Sequence, residues 1–593
     1  MNNSNTIFKI SALSAAVSLA VMYSFQAQAA DIEFDEVVAP FDAVNITTSN
    51  NLTVDGGVIQ PLSFKTLFST GQEDNGETYG MMKDYKGNPA KSGTGDNYIC
   101  SGNAAGVKGS GTDFSAILQK GGKNYLITQF ECQTGGMYLA ELGADMSPVP
   151  NTLEWIDNTS EWGGWVHCAG SVTPWNTYLG GEEYEPNAKK LEGQSYPTTD
   201  DYYNDKVRSY WLGDISKSSP YQNGWITEID IVAGKPTYEK HYAMGRFSHE
   251  LGYVMPDKRT VYLTDDGVND TLFMFVAKKA GDLTEGKLYA AKWEQTSSYG
   301  GGSAQLKWIS LGKARSRHIK RAIDRDIEFS DMFDEDVAGC KTISANGETE
   351  CLKVKKNKEI LASRLESRRY AALMGATHEF RKMEGFTFDE QRNRAFIAIS
   401  EVGRGMLDNT GDPDKGGTNY DDLDGDTIAE TGNHIRVNKP DYCGAVYSMD
   451  INTESSTVSD HKGSMIHSDY VVTNMNSILA SGTADGEVTP EECALNNDIM
   501  AQPDNIAMAP GTNALIIGED GKHENNMVWS FNLDTHELTR IATVPLGAET
   551  TSPYFHKVGN DYYMTLVAQH PDPSGVNSDG DSITGVVGPM NLD

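Results

Sequence analysis

The sequence predicts an all-β protein with a stretch that reads as one propeller blade, and three observations carry that expectation. Short apolar or alternating runs, cut by Gly, Asn and Asp, recur along the chain. The 59 glycines in 593 residues exceed the roughly 7% of average usage, and apolar residues, at 38%, fall below the usual ~45–50%. From Asn513 onward the runs follow one another as strand, turn, strand, turn, strand, with connections short enough for antiparallel hairpins, which is how one propeller blade reads.

The expected strands are Asn124–Phe130, Thr260–Leu263, Leu272–Val276, Ala395–Ser400, Ala445–Met449, Ala514–Ile517, Val528–Leu533, Thr539–Val544 and Tyr562–Ala568. Their spacing is uneven and shows no fixed period, so these runs deliver the all-β class and one blade rather than a repeat count. The clearest helix is Lys355–Leu373, where Leu361, Leu365 and Leu373 form the stripe and the basic residues read as a solvated face. It belongs to an expected helical insertion, Arg315–Met374, and the acidic, Gly-rich Asp408–Thr431 is read as a loop. No linker divides residues 30–593, which are read as a single domain.

At the amino end, Lys9 precedes an apolar run over Ala12–Met22 that the small-residue pattern Ala27-Gln28-Ala29 closes. That reads as a signal peptide over residues 1–29, cut near Ala29 or Ala30. The run is shorter than the roughly 18 residues of a spanning helix, and no later run is longer, so membrane insertion is not expected. With no twin arginine ahead of it, export of unfolded chain by the Sec-type route is expected, giving a periplasmic or secreted protein that takes up any metal outside the cytoplasm.

A formal charge of -34 argues against a nucleic-acid or anionic-membrane partner, because counterion release requires basic surface. An anionic substrate would need a local positive field, which bound cations supply economically. Seven cysteines leave one over if the others form disulfides. Proximity suggests Cys100 with Cys132, Cys340 with Cys351 and Cys443 with Cys493, although one sequence does not fix connectivity; Cys168 is then the odd thiol. It stands in a stretch from His167 to Tyr184 that also holds the pair Glu182-Glu183, a soft and a hard ligand type in one segment.

Several segments resemble, in order, the signature blocks of the PhoX-type alkaline phosphatases: C-A-G-S-V-T-P-W-N-T-Y-L-G-G-E-E at Cys168–Glu183, G-R-F-S-H-E at Gly245–Glu250, Y-L-T-D-D at Tyr262–Asp266, K-M-E-G-F-T-F-D at Lys382–Asp389, G-N-H-I-R at Gly432–Arg436, Q-P-D-N-I-A at Gln502–Ala507 and Q-H-P at Gln569–Pro571. The resemblance runs from about residue 160 to His570. It implies a β-propeller, expected to have six blades, whose axis carries iron (Fe3+) and calcium (Ca2+) ions bridged by an oxo group and which hydrolyses phosphate monoesters. Small phosphorylated molecules would be the substrates, and the chain is expected to act as a monomer. A thiolate suits iron and calcium takes oxygen ligands, so one Cys among carboxylates fits a mixed assembly. Carried over motif by motif, Cys168 would be the iron thiolate, Glu183 and Glu250 carboxylate ligands, and Glu384 a metal-binding carboxylate beside a cation. Asp504, Asn505 and Glu549 are further candidates.

The chain departs from the family pattern in three places. The position two before Glu384, where the family has Arg, is Lys382, with Arg381 next to it. Lys is a point charge where Arg offers a bidentate fork, so either Lys382 substitutes, or Arg381 reaches in, or the substrate has changed. Gly181 stands where a second family Cys precedes the Glu pair, and the twin arginine is missing.

Each motif also has a plainer reading. In a strand only one of Glu182 and Glu183 faces inward, which makes Glu183 the ligand and Glu182 the reserve. His249 reads as a structural histidine, Trp175 as core packing, and Asp504-Asn505 as either ligands or an Asx turn. Asp422-x-Asp424-Gly425-Asp426 resembles a peripheral calcium loop whose expected twelfth-position Glu falls early, at Glu430, and Asp579-Gly580-Asp581 reads as a polar tail. The expectation is thus an exported metal-dependent phosphatase that releases inorganic phosphate. The alternative, motivated by Lys382 and Gly181, is a catalytically silent, calcium-stabilised propeller acting as an exported binding or surface protein.

Overall fold

A computed structural model describes residues 29–592 apart from 92–94, 102–110, 194–208, 346–347, 408–433, 453–457, 481–487 and 573–579. The expected signal peptide therefore lies outside the described residues except for Ala29, as do the acidic loop with its Asp422–Asp426 motif and Asp579.

Among the described residues, five antiparallel sheets form six blades, one ten-stranded sheet supplying two of them. Blade 1 runs outward from Gly111–Lys120 through Lys123–Glu131 and Gly136–Leu142 to Glu154–Trp155. Blade 2 is His167–Val172, Tyr178–Glu182, Thr227–Val232 and Lys235–Lys240; blade 3 is His249–Val254, Thr260–Asp265, Phe273–Lys279 and Asp282–Ser297. Blade 4 is Met383–Asp389, Arg394–Ile399, Ala445–Asn452 and Asn474–Ala480, joined to blade 3 at the rim by Ser303–Arg315. Blade 5 is Pro503–Met508, Ala514–Glu519, Met527–Asn532 and Leu538–Thr543, edged by Thr47–Thr48; blade 6 is Glu549–Val558, Asp561–Gln569 and Ile583–Met590, completed by Phe64–Ser69. The innermost strands touch in the cyclic order of the blades, and blade 6 touches blade 1, which closes the ring. Because an amino-terminal strand finishes the last blade, the ring closes non-covalently and leaves no inner sheet edge to protect.

Each of the nine expected strands overlaps an observed one: five lie wholly inside, and Leu272–Val276, Ala395–Ser400, Val528–Leu533 and Thr539–Val544 each overrun by one residue. The insertion is mixed rather than helical: helices Ser316–Ile323, Glu359–Leu365 and Ser367–Leu373 surround a sheet of Phe333–Glu335, Lys341–Ala345 and Glu348–Val354. The expected continuous helix Lys355–Leu373 begins at Glu359 and breaks at Glu366, whose φ of -132° and ψ of 58° leave the helical region. Glu366 spends its carboxylate on the Tyr221 hydroxyl (2.8 Å) and on Arg369 (2.7 Å), so tertiary partners override local helix propensity. The arginines of this stretch are not a solvated face. Arg364, Arg368 and Arg369 are buried, Arg364 donating to the carbonyls of Ala243, Leu311 and Gly312.

Arg368 is buried beside Asp265, Asp270 and Glu185, with its Nε 2.8 Å from Asp265. Truncating it, Arg368→Ala, strands two fully buried carboxylates beside the axis and is expected to cost about 3–5 kcal/mol, read as a lowered urea midpoint with unchanged slope. The three cysteine pairs expected from proximity are disulfides, and Cys168 is a free, buried thiol.

Candidate metal centre

The same irregularity recurs in all six innermost strands. Two residues of the inner strand oppose one of its neighbour within Thr112–Ser115, His167–Gly170, His249–Gly252, Met383–Phe386, Pro503–Ile506 and Thr551–Tyr554. Such a bulge adds one residue and re-aims its side chain. The re-aimed residues include Asp113, Cys168, Glu250, Glu384 and Asp504, one from each of blades 1 to 5. In blade 6 the acid, Glu549, opens the strand instead. The second strands add another tier where they end: Glu131, Glu183, Asp266, Glu401, Asp520 and His570.

These side chains converge. Asp113, Glu131 and Cys168 offer ligand atoms within 4.8 Å of one another, as do Cys168, Glu183 and Glu250, and again Glu250, Glu384 and Asp504. Cys168 and Glu250 are each shared by two groups, so the three form one chain of sites along the axis. The thiol of Cys168 donates to Glu183 Oε2 (2.8 Å), the Ala169 N–H to Glu250 Oε1 (3.3 Å) and the Ser400 hydroxyl to Glu384 Oε1 (2.7 Å). Asn505 donates its amide to Asp504 (2.8 Å) and accepts the Ser552 N–H (2.9 Å), which makes it an orienter of Asp504. Glu549 lies nearer the surface, 2.7 Å from His570 Nε2.

Packed without cations, these acids resist ionisation. Burial first, then the charges of neighbouring carboxylates, holds Asp113, Glu183, Glu250, Glu384 and Asp504 well above the usual carboxylate range. Burial and the surrounding Glu183, Glu250 and Glu131 push the Cys168 thiol up in the same way. One oxygen each of Asp113, Glu183 and Asp266 is buried with no hydrogen-bond donor. Orphaned carboxylate oxygens around one sulfur are the donor set a group of multivalent cations requires, so the residues fit a mixed oxygen and thiolate metal centre.

Lys382 is a cation at the centre of this field. Its ammonium lies 3.2 Å from Glu384, 3.4 Å from Asp520 and 3.5 Å from Asp266. Burial disfavours its charge, yet Asp266, Glu384 and Asp520 hold its pKa well above the ordinary value. Its backbone φ of 46° is a left-handed conformation that re-aims the side chain between Arg381 and Glu384. Arg381 turns away to Glu401 (2.8 Å), so the lysine occupies the expected cation position.

Of the other expected residues, Glu182 is not brought to the axis. It faces the opposite side of its strand, paired with Lys240 (2.7 Å) and accepting the N–H groups of Gly224 and Trp225. His249 is buried on the Gly245 carbonyl (2.9 Å), where burial lowers its pKa to about 3. A Cβ at Gly181 would stand 2.3 Å from the His249 carbonyl, so the local packing admits no cysteine there. Trp175 hydrogen-bonds Glu228 (2.9 Å) at the edge of the core. The sequence reading missed Asp113, Glu131, Asp266, Asp520 and His570 as members of the site; the signal that finds four of them is an acid or His closing the second strand of a blade.

Residues 151–572 match the family described as alkaline phosphatase PhoX. Among solved structures, Pseudomonas fluorescens PhoX in complex with vanadate superposes with a TM-score of 0.58 at 16% identity, covering 95% of this chain and 98% of that one. A luciferin-regenerating enzyme gives a TM-score of 0.31 at 7% identity over 81% of this chain and 90% of its own. Trypanosoma rangeli sialidase with sialic acid gives 0.32 at 9% over 90% and 59%. No curated protein sequence matches the chain.

Proposed function

The chain belongs to the alkaline phosphatase PhoX family, and on that premise we propose that it is an exported, metal-dependent phosphatase that hydrolyses phosphate monoesters and releases inorganic phosphate. The observation that carries the reading is the convergence of five bulged inner-strand residues, four of them carboxylates and one a thiol, on an axis where a half-buried ammonium is also placed. A cation-filled carboxylate ring resolves the conflict between net charge and anionic substrate: the body repels phosphate, while the axis attracts it.

Cys168, Glu183, Glu250, Glu384 and Asp504 would hold the cations, with Asp113, Glu131, Asp266, Asp520 and Glu549 beside them. The single sulfur favours iron at Cys168 and the oxygen-rich remainder favours calcium. When bound, such ions supply Lewis acidity and an activated water at working pH. The chain's own residues do the rest. Lys382 neutralises phosphoryl oxygens, Ser400 and Asn505 fix the Glu384 and Asp504 carboxylates, and the bulges keep these groups preorganised. Export is supported by the amino-terminal pattern of residues 1–29 and by three disulfides, which persist in oxidising compartments.

The test is elemental analysis and an absorption spectrum on one preparation that cleaves p-nitrophenyl phosphate at alkaline pH. Iron, calcium and a visible thiolate-to-iron band are expected, and Cys168→Ser is expected to remove the band. A colourless, iron-free, active protein would remove the thiolate role. Calcium-dependent stability with no turnover under any metal regime would replace the hydrolase with the binding-protein reading.

A further inference from the structure

The insertion reaches the axis through Arg368, the second residue of the helix Ser367–Leu373. Its guanidinium grips the turn that leaves the second strand of blade 3 at three places. Nε donates to Asp265 Oδ2 (2.8 Å), Nη2 donates to the Asp266 carbonyl (3.1 Å), and Nη2 also lies 3.5 Å from Asp270 Oδ1. On its other side, Nη1 lies 3.6 Å from Glu185, just past the second strand of blade 2. Asp265 and Asp270 are fully buried, so this turn has no solvent to hold its charges in place.

The same turn clamps Lys382. The Lys382 N–H is shared between the Gly267 carbonyl (3.2 Å) and Asp270 Oδ2 (3.3 Å), and the Lys382 carbonyl accepts the Ser400 N–H (3.1 Å). Immediately before it, Phe380–Arg381 pairs antiparallel with Val268–Asp270, and Asp266 within the turn faces the ammonium at 3.5 Å. A left-handed backbone such as that of Lys382, φ 46°, persists only where its surroundings over-determine it. Asp270 links the two ends of this arrangement, one oxygen facing the guanidinium and the other accepting the Lys382 N–H. A planar fork holds several acceptors at fixed angles, which a single ammonium does not. We propose that Arg368 is a positioning residue, supplied by the insertion, which grips residues 265–270 so that they hold the Lys382 ammonium in its place at the axis. The use of that ammonium on phosphoryl oxygens rests on the phosphatase reading; its placement does not.

The test uses metal-loaded mature protein carrying Arg368→Lys or Asp270→Asn. The first keeps a charge beside the buried carboxylates and removes the fork. The second leaves Asp265 to Arg368 but sets an amide donor against either the guanidinium or the Lys382 N–H. Acylation of lysines by a water-soluble succinimidyl ester is followed by mass spectrometry, with Lys240, fully buried in blade 2, as the internal control. Both variants are expected to label Lys382 about tenfold faster or more while Lys240 stays protected, the mark of local rather than global opening. Vanadate affinity by calorimetry and kcat/KM should fall by about 10- to 100-fold at unchanged metal content, the scale of loss when a contacting group is misplaced by about 1 Å. Labelling of Lys382 that stays at the wild-type rate, or that rises together with Lys240, overturns the proposal, because Arg368 then only stabilises the fold. A loss of vanadate affinity that tracks lost metal overturns it too. Selective labelling of Lys382 with unchanged vanadate affinity keeps the placement and overturns the use of the ammonium on phosphoryl oxygens. A wild-type protein that neither binds vanadate nor cleaves p-nitrophenyl phosphate overturns the phosphatase reading alone, with the role of Arg368 still decided by the labelling.

Discussion

Glu384→Gln is expected to lower phosphatase turnover by at least about 100-fold while leaving the chain folded. The substitution keeps the shape of the side chain, and the Ser400 hydroxyl can still donate to the remaining carbonyl oxygen. What it removes is the charge that Glu250, Glu384 and Asp504 would jointly offer to a cation, and the counter-charge 3.2 Å from Lys382. Loss at that position would act through both metal affinity and placement of the ammonium, hence the size of the expected effect. Stability should move differently with and without metal. In chelator, where burial and Asp266 already oppose ionisation of Glu384, a neutral amide relieves repulsion, so the variant should melt no lower than wild type. With metals restored, the order should reverse. Retained turnover with full metal content would show that Glu384 lies outside the chemistry.

Why the outer strands were legible and the inner ones were not follows from their different duties. Ala514–Glu519 and Met527–Asn532 are apolar runs buried on both faces, and composition is enough to reveal them. The inner strands read H-C-A-G-S-V and P-D-N-I-A-M, because the first residues serve the axis through a bulge and small residues follow to let neighbouring blades approach. A Cβ at Gly385, for example, would come within 2.5 Å of the Ile506 backbone. No strand period survives that arrangement, so the Cys168, Glu250, Glu384 and Asp504 assignments came from resemblance and not from periodicity. The adjacent acids Asp265-Asp266 and Glu519-Asp520 look like solvated turns, yet one of each pair is locked into the blade. Asp265 is held by Arg368, and Glu519 by Trp529, His523 and two backbone N–H groups. Which of two neighbouring acids turns inward depends on partners far along the chain. Arg364 of the insertion escaped notice for the same reason, its carbonyl partners being supplied by the segment leading into blade 3 and by the rim strand Ser303–Arg315.

Stripping the metal should also invert the pH dependence of stability. In the cation-free chain, Asp113, Glu183, Glu250, Glu384 and Asp504 have folded-state pKa values above their unfolded ones, and burial and then the charge of Asp520 raise Glu549 to about 8. A carboxyl raised on folding binds more protons in the native state than in the unfolded one. Stability is therefore greatest below the unfolded pKa, near 4, and falls as pH climbs toward the folded value. Chelator-treated protein should accordingly melt lower at pH 8 than at pH 5. Each fully raised group contributes about 1.4 kcal/mol per pH unit over its window. Bound cations reverse the sign, because they need ionised ligands: protons compete at low pH, and the metal's stabilisation grows as pH rises. The loaded protein should thus melt higher at pH 8 than at pH 5, so the gap between the loaded and stripped forms widens toward alkaline pH. Scanning calorimetry of the two forms across that range reads the crossing. Parallel curves would mean that the axial acids meet no cation when the protein folds.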